Sequence, residues 1–166
     1  RFDGNNDQYD LGSSTPIGGT KSFTFFWVGQ FSDFTSPNGI LADSTEDSTA
    51  ELEFLNTTTL NYRNRGSVSP SPTVFASGTF PTRTPMQFCI RKNSNGSVQF
   101  FKNGVLITPA SGGVFSTTSD FDADIIGVDN TNGFFSGYVY ELALYERALS
   151  SAEIGTISNY LSGKLL

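Results

Sequence analysis

Few groups in this chain are able to make or break bonds. There is no histidine among its 166 residues, which removes Ser-His and Cys-His nucleophilic arrangements and most zinc sites at once. Glycoside hydrolysis needs only two carboxylates, held roughly 5–9.5 Å apart. The nearest approach is Glu51-Leu-Glu53, whose acids share one face of a strand because side chains there alternate with period two. The continuation Phe54-Leu55-Asn56 supplies no third acid. Glu51 and Glu53 therefore read as strand-face glutamates, and the chain is expected not to be an enzyme.

Metal binding and sugar recognition are the remaining chemistries. Asp120-Phe-Asp122-Ala-Asp124 places three carboxylates at alternate positions, on one strand face or in a loop that can wrap a hard cation. Calcium takes six to eight oxygens, which such acids plus backbone carbonyls can supply. Three like charges side by side repel unless a cation neutralises them or water surrounds them, so a calcium site and a bare acidic loop are the two alternatives. Sugars are held by an aromatic face plus planar polar side chains. Tyr62-Arg63-Asn64-Arg65 offers an aromatic ring, an amide and two guanidinium forks, and the loops carrying Asp43, Asp129, Asn130 and Asn132 would form its rim. Arginines suit an acidic sugar or another carboxylate.

The elements that must position these groups are strands. Sixteen Phe and six Tyr against a single Met, with abundant Ser, Thr, Asn and Gly, is a β-sandwich composition. Short strands are expected over 9–11, 22–31, 39–42, 50–55 and 59–63, then a proline-limited edge near 73–76, a meander over 86–108, and strands at 125–128 and 138–145. Asn95-Gly96 and Asn103-Gly104 each offer the two positive φ angles of a type I′ hairpin. They predict that Phe100 and Val98 pair across to Phe88 and Ile90. In the last strand Tyr138, Tyr140, Leu142 and Leu144 should share one face, with Val139, Glu141, Ala143 and Tyr145 on the other.

A helix follows. Ser150-Ser-Ala-Glu153 has capping-box spacing, Ile154, Ile157 and Leu161 recur at helical intervals, and Gly163 falls where a left-handed terminator belongs. Together these features predict an all-β, antiparallel two-sheet jelly-roll sandwich, one domain over 1–166, with a short C-terminal α-helix packed across one edge. Cys89 is alone and is expected to be a small buried or half-buried strand residue. The formal charge of -6 argues against nucleic acid, and no apolar run approaches the roughly 20 residues of a membrane helix. The chain starts at Arg1 without a signal peptide, as expected of a piece processed or excised from a longer parent with other domains.

The run Gly137-Tyr-Val-Tyr-Glu141-Leu-Ala-Leu-Tyr145-Glu-Arg147-Ala-Leu149-Ser150-Ser-Ala-Glu153-Ile resembles the closing signature of laminin G-like, concanavalin A-like lectin/glucanase domains, G-x-I-x-E-x-x-I-Y-x-R-x-L-S-x-x-E-I. Phe2-Asp3-Gly4-Asn-Asn-Asp7-Gln-Tyr9 with Ser22-Phe-Thr-Phe-Phe-Trp27-Val, and Ser94-Asn-Gly96 through Lys102-Asn103-Gly104, are similar to the family's opening and central patterns. The resemblance implies the jelly-roll fold and a structural calcium near the N-terminal loop, mapping onto Asp3, Asn5 or Asp7. It makes Glu141 the family's strand glutamate, tying down a loop or pairing with Arg147. Enzymes of related jelly rolls carry E-x-D-x-x-E, which Glu51-Leu-Glu53 does not complete. The expected function is a non-catalytic carbohydrate-binding or adhesion module of an extracellular, cell-surface or virion-fibre protein, with a glycan as partner. The rival is a purely structural decoration or oligomerisation domain, whose apolar patch would draw on Phe31, Phe34, Phe115, Phe134 and Phe135. A glycoside hydrolase or lyase comes third.

Overall fold

The computed structural model describes residues 1–33, 38–44, 50–56, 59–64, 73–77, 80–107, 109–111, 121–128 and 133–165. In chain order the strands are β1 (Phe2–Asp3), β2 (Tyr9–Pro16), β3 (Phe23–Phe31), β4 (Asn38–Ala42), β5 (Ala50–Asn56), β6 (Thr59–Asn64) and β7 (Thr73–Ser77). Then come β8 (Met86–Lys92), β9 (Val98–Lys102), β10 (Val105–Ile107), β11 (Pro109–Ser111), β12 (Asp122–Ile126) and β13 (Ser136–Tyr145), closed by helix α1 (Ser151–Ser162). They form two antiparallel sheets, one ordered β1-β13-β3-β8-β9-β10 and the other β11-β7-β6-β5-β4-β12-β2. This is the expected two-sheet sandwich.

The strand β3, Phe-Thr-Phe-Phe-Trp-Val-Gly-Gln-Phe, is buried along almost its whole length. Phe23, Phe25, Trp27 and Phe31 enter the core between the sheets, whereas Phe26 and Val28 belong to a second cluster under the helix. Trp27 lies 5.2 Å, ring to ring, from both Phe31 and Phe88, and Phe54 reaches across from the other sheet to within 4.5 Å of Phe31 and 4.7 Å of Phe80. Removing a ring from such a core typically costs about 3–5 kcal/mol.

The helix lies on the face of the first sheet rather than across an edge, because the apolar residues awaiting cover are Phe26, Val28, Cys89 and Phe101 of three inner strands. Leu149, Ile154 and Leu161 close over them. Cys89 is buried as expected, and burial pushes its thiol up. The corner before the helix is pinned by buried Thr24, whose hydroxyl donates to Arg147 O and accepts from Leu149 N, both at 2.9 Å. The capping box forms, with Glu153 N donating to Ser150 Oγ at 3.3 Å and Ser150 N donating to Glu153 Oε2 at 2.8 Å. Arg147 donates to Glu153 at 2.7 Å, and that bond, helped by those from Ser150, pulls the carboxyl down to about 2. Arg147 is thus committed to Glu153 and not to Glu141. Gly163 closes the helix at φ -68°, a right-handed and not a left-handed cap.

The two Asn-Gly pairs differ. Asn103 and Gly104 both have positive φ, the type I′ hairpin expected, but at Asn95-Gly96 only the glycine does. There the turn widens, with Asn93 N bonded to Ser97 O. Phe100 therefore pairs with Ile90, and Val98 with Lys92 rather than with either expected partner.

Lys92 is the one lysine within the buried set, its ammonium donating to the carbonyls of Gly19 at 2.8 Å and Lys21 at 2.6 Å. It ties the loop after β2 to the first sheet. Burial pulls it from the usual 10.5 down to about 8. Between those values the unfolded chain holds a proton that the folded chain has released, so stability rises with pH across that window. Urea unfolding of the wild type and Lys92→Met should show the wild type gaining on the variant between pH 8 and 10.5; a constant difference would contradict this assignment.

Candidate functional site

With α1 seated on the first sheet, the outward face of the second sheet carries no helix among the described residues. On β5, Leu52 and Phe54 point into the core, as do Leu60 and Tyr62 on β6. Period-two alternation then places positions 51, 53, 61 and 63 on the outward face. Register sets Glu51 opposite Arg63 and Glu53 opposite Asn61, with Ala42 and Gly39 of β4 on their other side. Positions 51, 53, 61 and 63 are therefore neighbours in the backbone ladder of this face. Glu53 itself is only 2% exposed.

The sequence-predicted sugar site is divided by this geometry. Tyr62, expected as a stacking platform, is 1% exposed and packs edge-on against Phe23 at 5.6 Å and beside Phe121 at 5.9 Å. Alternation puts position 63 on the opposite side of β6 from Tyr62. Asn64 ends β6 opposite Ala50. Asp43 is buried rather than on a rim, accepting the backbone amide of Asp122 at 2.8 Å. Arg65, Asp129, Asn130 and Asn132 lie outside the described residues.

The expected metal ligands are engaged with the chain. Asp124 accepts the amide of Ser44 at 2.8 Å and also its hydroxyl. Asp122 precedes it in β12, and Asp120 lies outside the described residues. At the N-terminus Asp7 accepts Asp3 N at 2.7 Å and Asp3 accepts Asn5 N at 2.8 Å, so this acidic loop caps its own turn. Among the described residues no group of three or more acidic or cysteine side chains gathers closely enough to hold a metal ion. Of the phenylalanines assigned to an apolar patch, Phe31 and Phe135 are wholly buried in the core, and Phe34 and Phe115 lie outside the described residues.

A second constellation, which strict alternation concealed, lies on the other outer face. Between Val139 and Glu141 the pairing of β13 with β3 shifts by one residue. Val139, Leu142 and Leu144 pack on the main core, while Ala143 and Tyr145 pack on the cluster under the helix. Such a bulge sets two successive residues on one side, so Tyr140 and Glu141 both join Tyr138 on the outer face. The expected division of this strand, with Tyr140 beside Leu142 and Glu141 opposite, is overturned. Gly29 of β3 permits the close approach, since a Cβ there would meet Tyr138 O at 2.3 Å. Glu141 faces Lys164 at 4.0 Å, and not Arg147. The Tyr-x-Tyr spacing was the available signal, but nothing local marks the bulge.

This chain belongs to the concanavalin A-like lectin/glucanases superfamily, whose laminin G-like family model matches residues 3–155. No curated protein sequence matches it significantly. Among solved structures it is similar to the native heptameric SAP-like pentraxin of Limulus polyphemus, with a TM-score of 0.66 at 14% identity, covering 95% of this chain and 79% of that one. It is also similar to the sialidase CBM40 of Ruminococcus gnavus bound to α2,3-sialyllactose, with a TM-score of 0.67 at 13% identity and coverage of 92% and 97%. The binding domain of botulinum neurotoxin serotype G gives 0.66 at 9% identity, covering 97% of this chain and 42% of that one. At such identities the likeness shows the shared sandwich fold.

A carboxylate that braces two strands behaves differently from one that waits for a ligand. Asp43→Ala should lower the unfolding free energy by about 1–3 kcal/mol, the cost of stripping a buried amide of its acceptor. A denaturation midpoint equal to that of the wild type would return Asp43 to the ligand rim.

Proposed function

We propose that this domain is a non-catalytic glycan-binding module whose ligand lies across the outward face of the second sheet. The observation that carries the reading is the cross-strand register of β5 and β6, which sets Glu51 beside Arg63 and Glu53 beside Asn61. A guanidinium fork holds a carboxylate by two parallel hydrogen bonds, and the Asn61 amide with the Glu51 carboxylate can satisfy hydroxyls, Glu53 at 2% exposure being closed to a ligand. That donor set suits an acidic sugar. The likeness to a carbohydrate-binding module solved with sialyllactose supports the same class. We place the module in an extracellular, cell-surface or virion-fibre protein, with calcium as its expected cation.

Calorimetric titration with α2,3-sialyllactose and with lactose, each with and without calcium, tests this. The acidic sugar should bind more tightly than lactose, and Arg63→Ala should weaken it by about tenfold or more, as loss of a charged hydrogen bond implies. Absence of binding under all four conditions, or an Arg63→Ala variant that binds as the wild type does, would overturn the assignment.

A further inference from the structure

The outer face of the first sheet is only partly covered by α1, and what remains open along β13 is aromatic. Tyr138 and Tyr140 are 38% and 44% exposed, with ring planes 25° apart and centroids 6.4 Å apart. Tyr140 donates weakly to Gln30 Oε1 at 3.4 Å, and the Arg1 guanidinium lies 5.9 Å from the Tyr138 ring centre. Beside them opens a cleft of about 610 Å3 lined by Pro85, Val139, Tyr140, Glu141, Lys164 and Leu165. Two neighbouring aromatic rings in water forgo the burial that every ring of β3 receives, and the bulge of β13 turns Glu141 out beside them.

We propose that this cleft is a second carbohydrate site, for a neutral oligosaccharide, on the face of the sandwich opposite the one assigned above. The C–H face of a pyranose is apolar and stacks on aromatic rings, while its equatorial hydroxyls need donors and acceptors around the edge. Tyr138 and Tyr140 supply the rings. Glu141 accepts and Lys164 donates, and each is partly solvated with 4.0 Å between the charged atoms, so both can turn to hydroxyls without stranding a buried charge. Within the cleft these two charges cancel, which selects a neutral sugar over the acidic one suited to Arg63. A strand-borne pair of rings also favours a chain of sugars over a single one, because successive units can lie along β13.

The test is titration of the whole domain with cellohexaose, xylohexaose, mannohexaose and laminarihexaose. At least one should bind, and Tyr138→Ala with Tyr140→Ala should weaken it by about tenfold or more. Tyr140→Phe, which keeps the ring, should stay within about twofold to threefold of the wild type, and Arg63→Ala should leave this binding unchanged. Saturation transfer from the tyrosine ring protons of the wild-type protein to the bound sugar is a readout that needs no variant. Failure of all four sugars to bind, undiminished binding by the double variant, or no transfer from the tyrosine rings would overturn the proposal. So would a dimer in sedimentation equilibrium that the double substitution dissolves, since the rings would then serve self-association. Because Arg63 and the tyrosines lie on opposite faces, loss of one binding activity with retention of the other tells the two sites apart.

Discussion

A strand that must be buried on both faces governs this molecule. β3 carries Phe23, Phe25, Trp27 and Phe31 on one side and Phe26 and Val28 on the other, and neither set can be left in water at tolerable cost. At roughly 25 cal/mol per Å2 of apolar surface, large rings on two faces demand two separate covers. The second sheet provides one through Phe54, Leu60 and Tyr62, and α1 provides the other through Leu149, Ile154 and Leu161. The corner before the helix is accordingly fastened by three groups of the first sheet's own strands and helix: buried Thr24, the Arg91 guanidinium on Leu149 O at 2.7 Å, and the Arg147–Glu153 pair.

That constraint decides which surfaces are left for binding. Once the helix is spent on the first sheet, the second sheet presents its outward positions without a helix over them, and these are charged or amide-bearing where β5 meets β6. The outer face of the first sheet is open beyond the helix, at Leu106 of β10 and where β13 bulges. The bulge changes which side of the sheet each residue of β13 takes, bringing Tyr140 and Glu141 out together beside Lys164. One shift in register brings Glu141 to the side that Tyr138 and Tyr140 share, so that an exposed aromatic ledge gains a charged edge. Binding to two opposite faces is compatible with a rigid sandwich, because the core between them is packed with interlocked rings.

Much of this was legible in the sequence because the signals were periodic or used specific residues. The two-faced apolar run of β3, the Asn103-Gly104 turn and the Ser150–Glu153 capping box each follow from local chemistry, and each is present. The helix docks on the sheet face because the cover required by Phe26 and Cys89 is a tertiary demand that helical periodicity does not locate. Asn95-Gly96 failed as a type I′ turn because the wider Asn93–Ser97 loop leaves Asn95 at negative φ. The site was less legible than the fold. Tyr62 looked like a platform because its neighbours are polar, yet alternation sends it into the core. Asp43 and Asp124 each accept a backbone amide from a segment far away in sequence, a role that composition cannot reveal.

The central claim is that β3, held between two covers, is the last element to let go. Native-state hydrogen exchange of the backbone amides of Phe25, Phe26, Trp27 and Val28 measures this directly. The account predicts that all four exchange only through global unfolding, with the same free energy as urea denaturation and above that of the edge strands β1 and β10. Exchange of these amides by local opening, at free energies no higher than those of the edge strands, would contradict it.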